Sequence, residues 1–147
     1  MPTRTARTAW NGSLEEGSGQ VELSSSKIGT YDVSFPKRAA EEANGFTSPE
    51  ELLAAAHSAC YAMQFSAILG AAGGTIEALD VKADVSLGAD SSDGGFKLTG
   101  IHLTVSGEVS GIDAATFEKA AADAKATCPV SKALTGVEIT LDATFES

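Results

Sequence analysis

Residues Thr47 to Gly74, TSPEELLAAAHSACYAMQFSAILGAAGG, decide how the rest of the chain must be arranged. Ser48 can cap a helix, Pro49 suits its first position, and Glu51 stands three residues after the cap as a capping box requires. Glu50 and Glu51 also complement the positive end of the helix dipole. Between Leu52 and Leu69 there is no Gly or Pro, and Ala, Leu and Met dominate, so the spacing predicts one unbroken helix running to Gly70. Apolar side chains occupy nearly every face of it, which suits the interior of a larger structure or a membrane. His57, Ser58, Gln64 and Ser66 interrupt the run and no Lys or Arg flanks it closely, so the expectation is a buried core helix and no membrane span.

On the N-terminal side, Thr3 to Trp10, Gln20 to Ser24 and Thr30 to Phe35 read as short strands of an antiparallel meander, followed by a charged connector from Lys37 to Gly45. On the C-terminal side, Gly73-Gly74 forces a turn. Leu79, Val81, Ala83, Val85 and Leu87 then alternate with polar residues, and Ile101, Leu103, Val105 and Val109 give the return strand, with Gly107 as a bulge. The loop between them holds Asp90 and Asp93 but lacks the ligand spacing and closing Glu of a calcium loop, so it reads as a solvated turn. Asp113 caps a second helix with an apolar stripe of Phe117, Ala120, Ala121 and Ala124; Pro129 opens a short helix to Leu134, and Val137 to Phe145 is the last strand. Strands cluster rather than alternate with helices. The fold class is therefore α+β, antiparallel sheets packed around a long buried central helix, in one domain over residues 1–147. One sheet of about six strands covers a single face of an all-round apolar helix, so a second copy of the chain is the most economical cover and a homodimer is expected.

The 147 residues carry 20 acidic and 10 basic side chains, a formal charge of −10. No basic run exceeds Lys37-Arg38, which argues against nucleic acid or an anionic membrane as partner. The opening residues MPTRTARTAW hold no apolar segment of a secretory signal, and a cytoplasmic location is expected. The two cysteines match neither CxxC redox spacing nor a zinc pattern, so in a reducing compartment they are inert buried thiols or a transient catalytic pair.

Cys60 sits mid-helix, where burial alone raises a thiol's pKa, whereas Cys128 sits at a helix start, where free amides favour a thiolate. Local logic therefore makes Cys128 the nucleophile unless folding brings a cation or base to Cys60. His57, one turn from Cys60 on the same face, is a Cys-His partner or a core histidine with its hydrogen bonds met. His102 is out of phase with the apolar face of its strand and points to solvent, which weakens a metal site built from His57, Cys60, His102 and Cys128; none is expected. Glu50 lies ten residues before Cys60, about 15 Å along a straight helix, so it cannot reach Cys60 of its own helix.

The string SPEELLAAAHSACYAM, the later CPVSKAL and the terminal ITLD together resemble the OsmC/Ohr family of organic hydroperoxide reductases, over essentially the whole chain. The His57 form of the helix, with GIDAATFEKAAADAKATCPVSKAL, resembles the OsmC branch. The resemblance implies an intertwined α+β homodimer with its sites at the subunit interface. It implies Cys60 as the peroxidatic cysteine, Cys128 as the resolving cysteine, and Arg38 and Glu50 as the polar pair that attends the thiol, with Lys37 as the alternative to Arg38. It further implies an organic hydroperoxide as substrate, with Phe46, Tyr61 and Met63 lining the site, and no cofactor. Tyr61 stands where that pattern has Phe and brings a hydroxyl. A dithiol reductant is implied, a lipoylated protein among the candidates. The alternative of another class is a non-catalytic dimer that binds an apolar ligand and keeps two buried thiols. Since Glu50 cannot reach Cys60 along its own helix, Glu50 is expected from the partner subunit.

Overall fold

The N-terminal residues pair as the alternation predicts. In the computed structural model, which describes Met1–Ser147, β1 (Arg7–Asn11), β2 (Ser18–Glu22) and β3 (Thr30–Val33) form an antiparallel sheet in that order. The expected third strand stops short of Phe35. Ser34 instead caps a short helix, α1 (Phe35–Ala39), accepting from the Lys37 amide, and Pro36 stands in its first turn. A proline ring pre-sets helical φ where no amide is needed, so the expected strand end and the first residues of the connector, through Ala39, form a helix.

The long helix is continuous. α2 runs Pro49–Ala71 over 23 residues, and the Ser48 hydroxyl accepts from the Glu51 amide at 3.1 Å. The Glu51 carboxylate accepts from Thr47 at 2.6 Å. The chain divides into two compact units, Met1–Leu52 and Leu53–Ser147.

In the second unit, Gly73 takes a positive φ of 93° at the turn after α2, a conformation glycine reaches freely. β4 (Thr75–Ala89) and β5 (Phe96–Ser110) then form a long antiparallel hairpin. α3 (Ala114–Thr127), capped by Asp113, and α4 (Pro129–Ala133) carry the chain back, and β6 (Ile139–Glu146) pairs with β5 in parallel. The six strands thus form two three-stranded sheets rather than one, and the second is mixed rather than antiparallel. A connection of two helices returns the chain to the end where β5 began, and that fixes the parallel pairing. Gly107 is not a bulge; it pairs in register with Leu79 and Phe145. A Cβ there would meet the Phe117 ring at 2.7 Å, so the residue is small to let α3 approach.

The core of this unit is Tyr61, Phe65 and Leu69 of α2, Ile101, Leu103, Val105 and Val109 of β5, and Phe117, Ala120, Ala121 and Ala124 of α3. Ring centroids of Tyr61, Phe65, Phe117 and Phe145 follow one another at 5.5, 5.2 and 4.9 Å. Beyond Glu50 in its first turn, the buried α2 positions, 57, 61, 65 and 69, repeat every four residues and form one stripe. The expectation of burial on all faces therefore fails within a single chain: Met63, opposite the stripe, is 72% exposed.

Candidate active site

The two cysteines, far apart in sequence, are adjacent in space. Cys60 Sγ and Cys128 Sγ are 3.1 Å apart, within hydrogen-bond reach of one another and both reduced. α2 places Cys60 one residue before the buried Tyr61, and the Cys128-Pro129 junction between α3 and α4 delivers Cys128 to it. Cys128 is fully buried, whereas Cys60 keeps some exposure.

Their electrostatics are opposed. Burial pushes the Cys60 thiol up, and the hydrogen bond and charge of Cys128 push the same way, against a smaller pull from the Val130 backbone. For Cys128 burial also pushes up, but Cys60, the Ser131 amide and hydroxyl, and the Val130 amide together bring it below its ordinary range. Its sulfur does not close a capping hydrogen bond onto α4, so those amides act by proximity and orientation. Within one chain these influences make Cys128 the more acidic thiol of the two, as the helix positions suggest.

His57 is fully buried, and its Nε2 lies 2.7 Å from Ser131 Oγ. It is thus paired with Ser131 rather than Cys60, and Nδ1 has no partner. Burial lowers its pKa, which favours the neutral ring. Sequence reasoning missed Ser131; its place three residues after Cys128, one turn along a helix, was the available signal. Tyr61 is also fully buried and donates its hydroxyl to Ala121 O at 2.8 Å. Its hydroxyl is consumed in fixing α2 to α3, so it supports the Cys60 helix from behind. Met63 faces outward on α2. His102 lies on the polar face of β5, bonded to Thr140 at 2.6 Å and Asp142 at 3.0 Å.

In the first unit Arg38 grips Glu50 as a fork. Arg38 Nε donates to both carboxylate oxygens at 3.1 Å and Nη2 donates to Oε1 at 2.7 Å. Such paired charge-assisted bonds fix the guanidinium plane. Lys37 lies instead over the Phe46 ring, 5.8 Å from its centroid. Arg38 also lines a cleft of about 330 Å³ whose walls are mainly apolar, including Trp10, Leu14, Val21, Val33, Phe35 and Leu52. Phe46 lies outside it, in a neighbouring polar groove with Gln20 and Asp32. The cleft residues went unrecognised in sequence because alternation identifies a strand's apolar face without saying that two such faces leave a gap.

Comparison with known proteins gives one consistent picture. The family model for OsmC-like protein matches residues 42–142. The chain is 44% identical over 138 residues to the peroxiredoxin OsmC of Escherichia coli K12, covering 94% of this chain and 93% of that protein. It is 34% identical over 144 residues to the organic hydroperoxide resistance protein OhrA of Bacillus subtilis 168, covering 97% and 96%. Among solved structures, the organic hydroperoxide resistance protein OhrB of Bacillus subtilis superposes with a TM-score of 0.73 at 27% identity, over 95% of this chain and 98% of that one. The organic hydroperoxide resistance protein OsmC of Legionella pneumophila gives 0.73 at 25% identity, over 98% of each.

Proposed function

Since the chain belongs to the OsmC-like protein family, we propose that it is a thiol-dependent peroxidase that reduces organic hydroperoxides to alcohols through Cys60, with Cys128 as the resolving cysteine. The observation that carries the reading is the 3.1 Å approach of two reduced sulfurs from distant parts of the sequence. The names of the relatives, peroxiredoxin and organic hydroperoxide resistance protein, support it.

The Cys60 thiolate attacks one peroxide oxygen; the O–O bond breaks, the alkoxide takes a proton to leave as alcohol, and Cys60 becomes a sulfenic acid. Cys128 sulfur then attacks Cys60 sulfur, forming S–S and breaking S–O, and the departing hydroxide leaves as water. A dithiol reductant restores both thiols by exchange. A lipoylated protein is a candidate for it, and the whole chain works as one domain in the cytoplasm.

The first step needs a Cys60 thiolate, and one chain alone favours the proton on Cys60. A cation must therefore be supplied. In this reading Arg38, oriented by Glu50, comes from the partner subunit of an intertwined homodimer, whose contact covers the exposed face of α2. The guanidinium stabilises the thiolate and polarises the peroxide. Met63 on the covered face and Phe46 beside Lys37 contribute apolar contact with the substrate, and Tyr61 holds the helix.

Two experiments test this. Cys128→Ser consumes about one peroxide equivalent and stops at the sulfenic acid, as the oxidation ladder requires, whereas Cys60→Ser consumes none; undiminished consumption by Cys60→Ser reverses the roles. Mixing Arg38→Met chains with Cys60→Ser chains restores about a quarter of the wild-type sites if sites are shared between two-fold related subunits. No recovery places Arg38 and Cys60 in the same subunit's site. The alternative, an apolar-ligand-binding dimer, draws on the 330 Å³ cleft; it predicts that both thiols survive peroxide.

A further inference from the structure

His57 is buried, titratable, and unused by the chemistry above. Its Nε2 lies 2.7 Å from Ser131 Oγ, and its Nδ1 has no hydrogen-bond partner. Ser131 follows Cys128 by one turn at the start of α4, and both side chains are buried together beside His57; that spacing lets the Ser131 hydroxyl turn toward the sulfur, in keeping with the lowered pKa of Cys128. These contacts restrict where protons can sit. A serine hydroxyl has one proton to give. If that proton is directed at the sulfur, Oγ must accept from His57, which puts the imidazole proton on Nε2 and leaves Nδ1 a bare lone pair. Any form with a proton on Nδ1, the imidazolium included, would bury an N–H without an acceptor, an arrangement that carries the full desolvation cost of the donor. The orphaned Nδ1 thus selects the Nε2–H tautomer, and that tautomer frees the Ser131 proton for sulfur.

We propose that His57, acting through Ser131, is a positioning residue for Cys128: Nε2–H donates to Ser131 Oγ, and the Ser131 O–H donates to Cys128 Sγ, holding that sulfur ready to attack. The description of Cys128 as the resolving cysteine rests on the peroxidase reading; the three-residue chain itself does not. During resolution the Cys128 thiolate supplies the electron pair of the new S–S bond, and the S–O pair departs with hydroxide. His57 and Ser131 lose no proton in that step. As negative charge leaves the sulfur, the Ser131 hydroxyl gives up an anionic acceptor for a neutral one, so its contribution lies in presenting the thiolate.

The titratable groups acting on Cys128 are Cys60 and Tyr61 from α2 and, through Ser131, His57. The test is therefore made in a Cys60→Ser background, where Cys128 is the only thiol, by following thiolate ultraviolet absorbance against pH. Removing the hydroxyl in Ser131→Ala raises the titration midpoint by about one pH unit, the scale of one charge-assisted hydrogen bond. His57→Leu raises it similarly, and His57→Gln, whose amide N–H can replace Nε2–H, restores it. With both cysteines present, the disulfide forms about tenfold more slowly after one peroxide equivalent in Ser131→Ala than in wild type, in line with a one-unit shift. An unmoved midpoint in folded Ser131→Ala overturns the proposal, and a His57→Gln midpoint equal to that of His57→Leu overturns the part given to His57. The titration uses no peroxide. Failure of the wild type to consume peroxide would overturn the peroxidase reading while leaving this result intact.

Discussion

Replacing Arg38 with Met separates the structural from the chemical role of the Arg38–Glu50 fork. Glu50 is 8% exposed, and the Arg38 side chain 32%. Breaking a buried ion pair by removing one partner costs about 3–5 kcal/mol, because a charge is left without compensation. An exposed pair is worth about 0–1 kcal/mol. With the carboxylate buried but the guanidinium one-third in water, the loss falls between, about 2 kcal/mol. Trp10 is the chain's single tryptophan and lines the same cleft as Arg38, so its fluorescence reports unfolding of this unit in urea. Adding Glu50→Gln removes the orphaned charge and recovers at least half of the loss. Peroxide consumption stays low in the double variant, since the cation is still missing. A loss below about 0.5 kcal/mol in Arg38→Met, the range of an exposed pair, or no recovery in the double variant, refutes the burial argument.

Further substitutions probe the scaffold. Gly107→Ala forces a Cβ against Phe117 and destabilises by about 1–3 kcal/mol in urea unfolding; pairing it with Phe117→Leu costs less than the sum of the two alone. Tyr61→Phe leaves the rings in place but removes the bond to Ala121 O, for about 1 kcal/mol. At the start of α3, the hydrogen bonds from the Thr116 side chain and amide hold the Asp113 carboxyl below its ordinary range. A depressed carboxylate contributes stability above its unfolded pKa and loses it as pH falls through the folded one. Acid unfolding below about pH 4 should therefore flatten in Asp113→Asn, which keeps a cap acceptor without a titrating proton; an unchanged slope would show that the cap's ionisation does not matter.

The parts of the molecule that sequence revealed are those set by short-range chemistry. Ser48, Pro49 and Asp113 mark helix starts because capping involves neighbours three residues away, and Phe117, Ala120, Ala121 and Ala124 form the buried stripe their spacing predicts. The cysteine motifs were legible through resemblance, and their opposed acidities through helix position. The parallel pairing of β6 was not legible, since apolar alternation identifies a face and says nothing of the neighbour's direction. Gly107 was misread because a bulge and a close helix approach both ask for a missing side chain. Tyr61 and Ser131 were hidden for another reason: each finds its partner across a long sequence separation, so only the fold shows that the hydroxyl is bonded to Ala121 O or shared with His57. The exposed face of α2 is the same lesson at larger scale, because all-round apolarity does not say which stripe of the helix the rest of the chain buries.

Whether Cys60 and Cys128 form a peroxide-driven dithiol pair is decided by adding one equivalent of cumene hydroperoxide to the reduced wild-type protein and counting thiols, with peptide mapping of any bridge. The expected result is loss of both thiols, a single bridge between Cys60 and Cys128, and release of the corresponding alcohol. Two free thiols and unconsumed peroxide would contradict it.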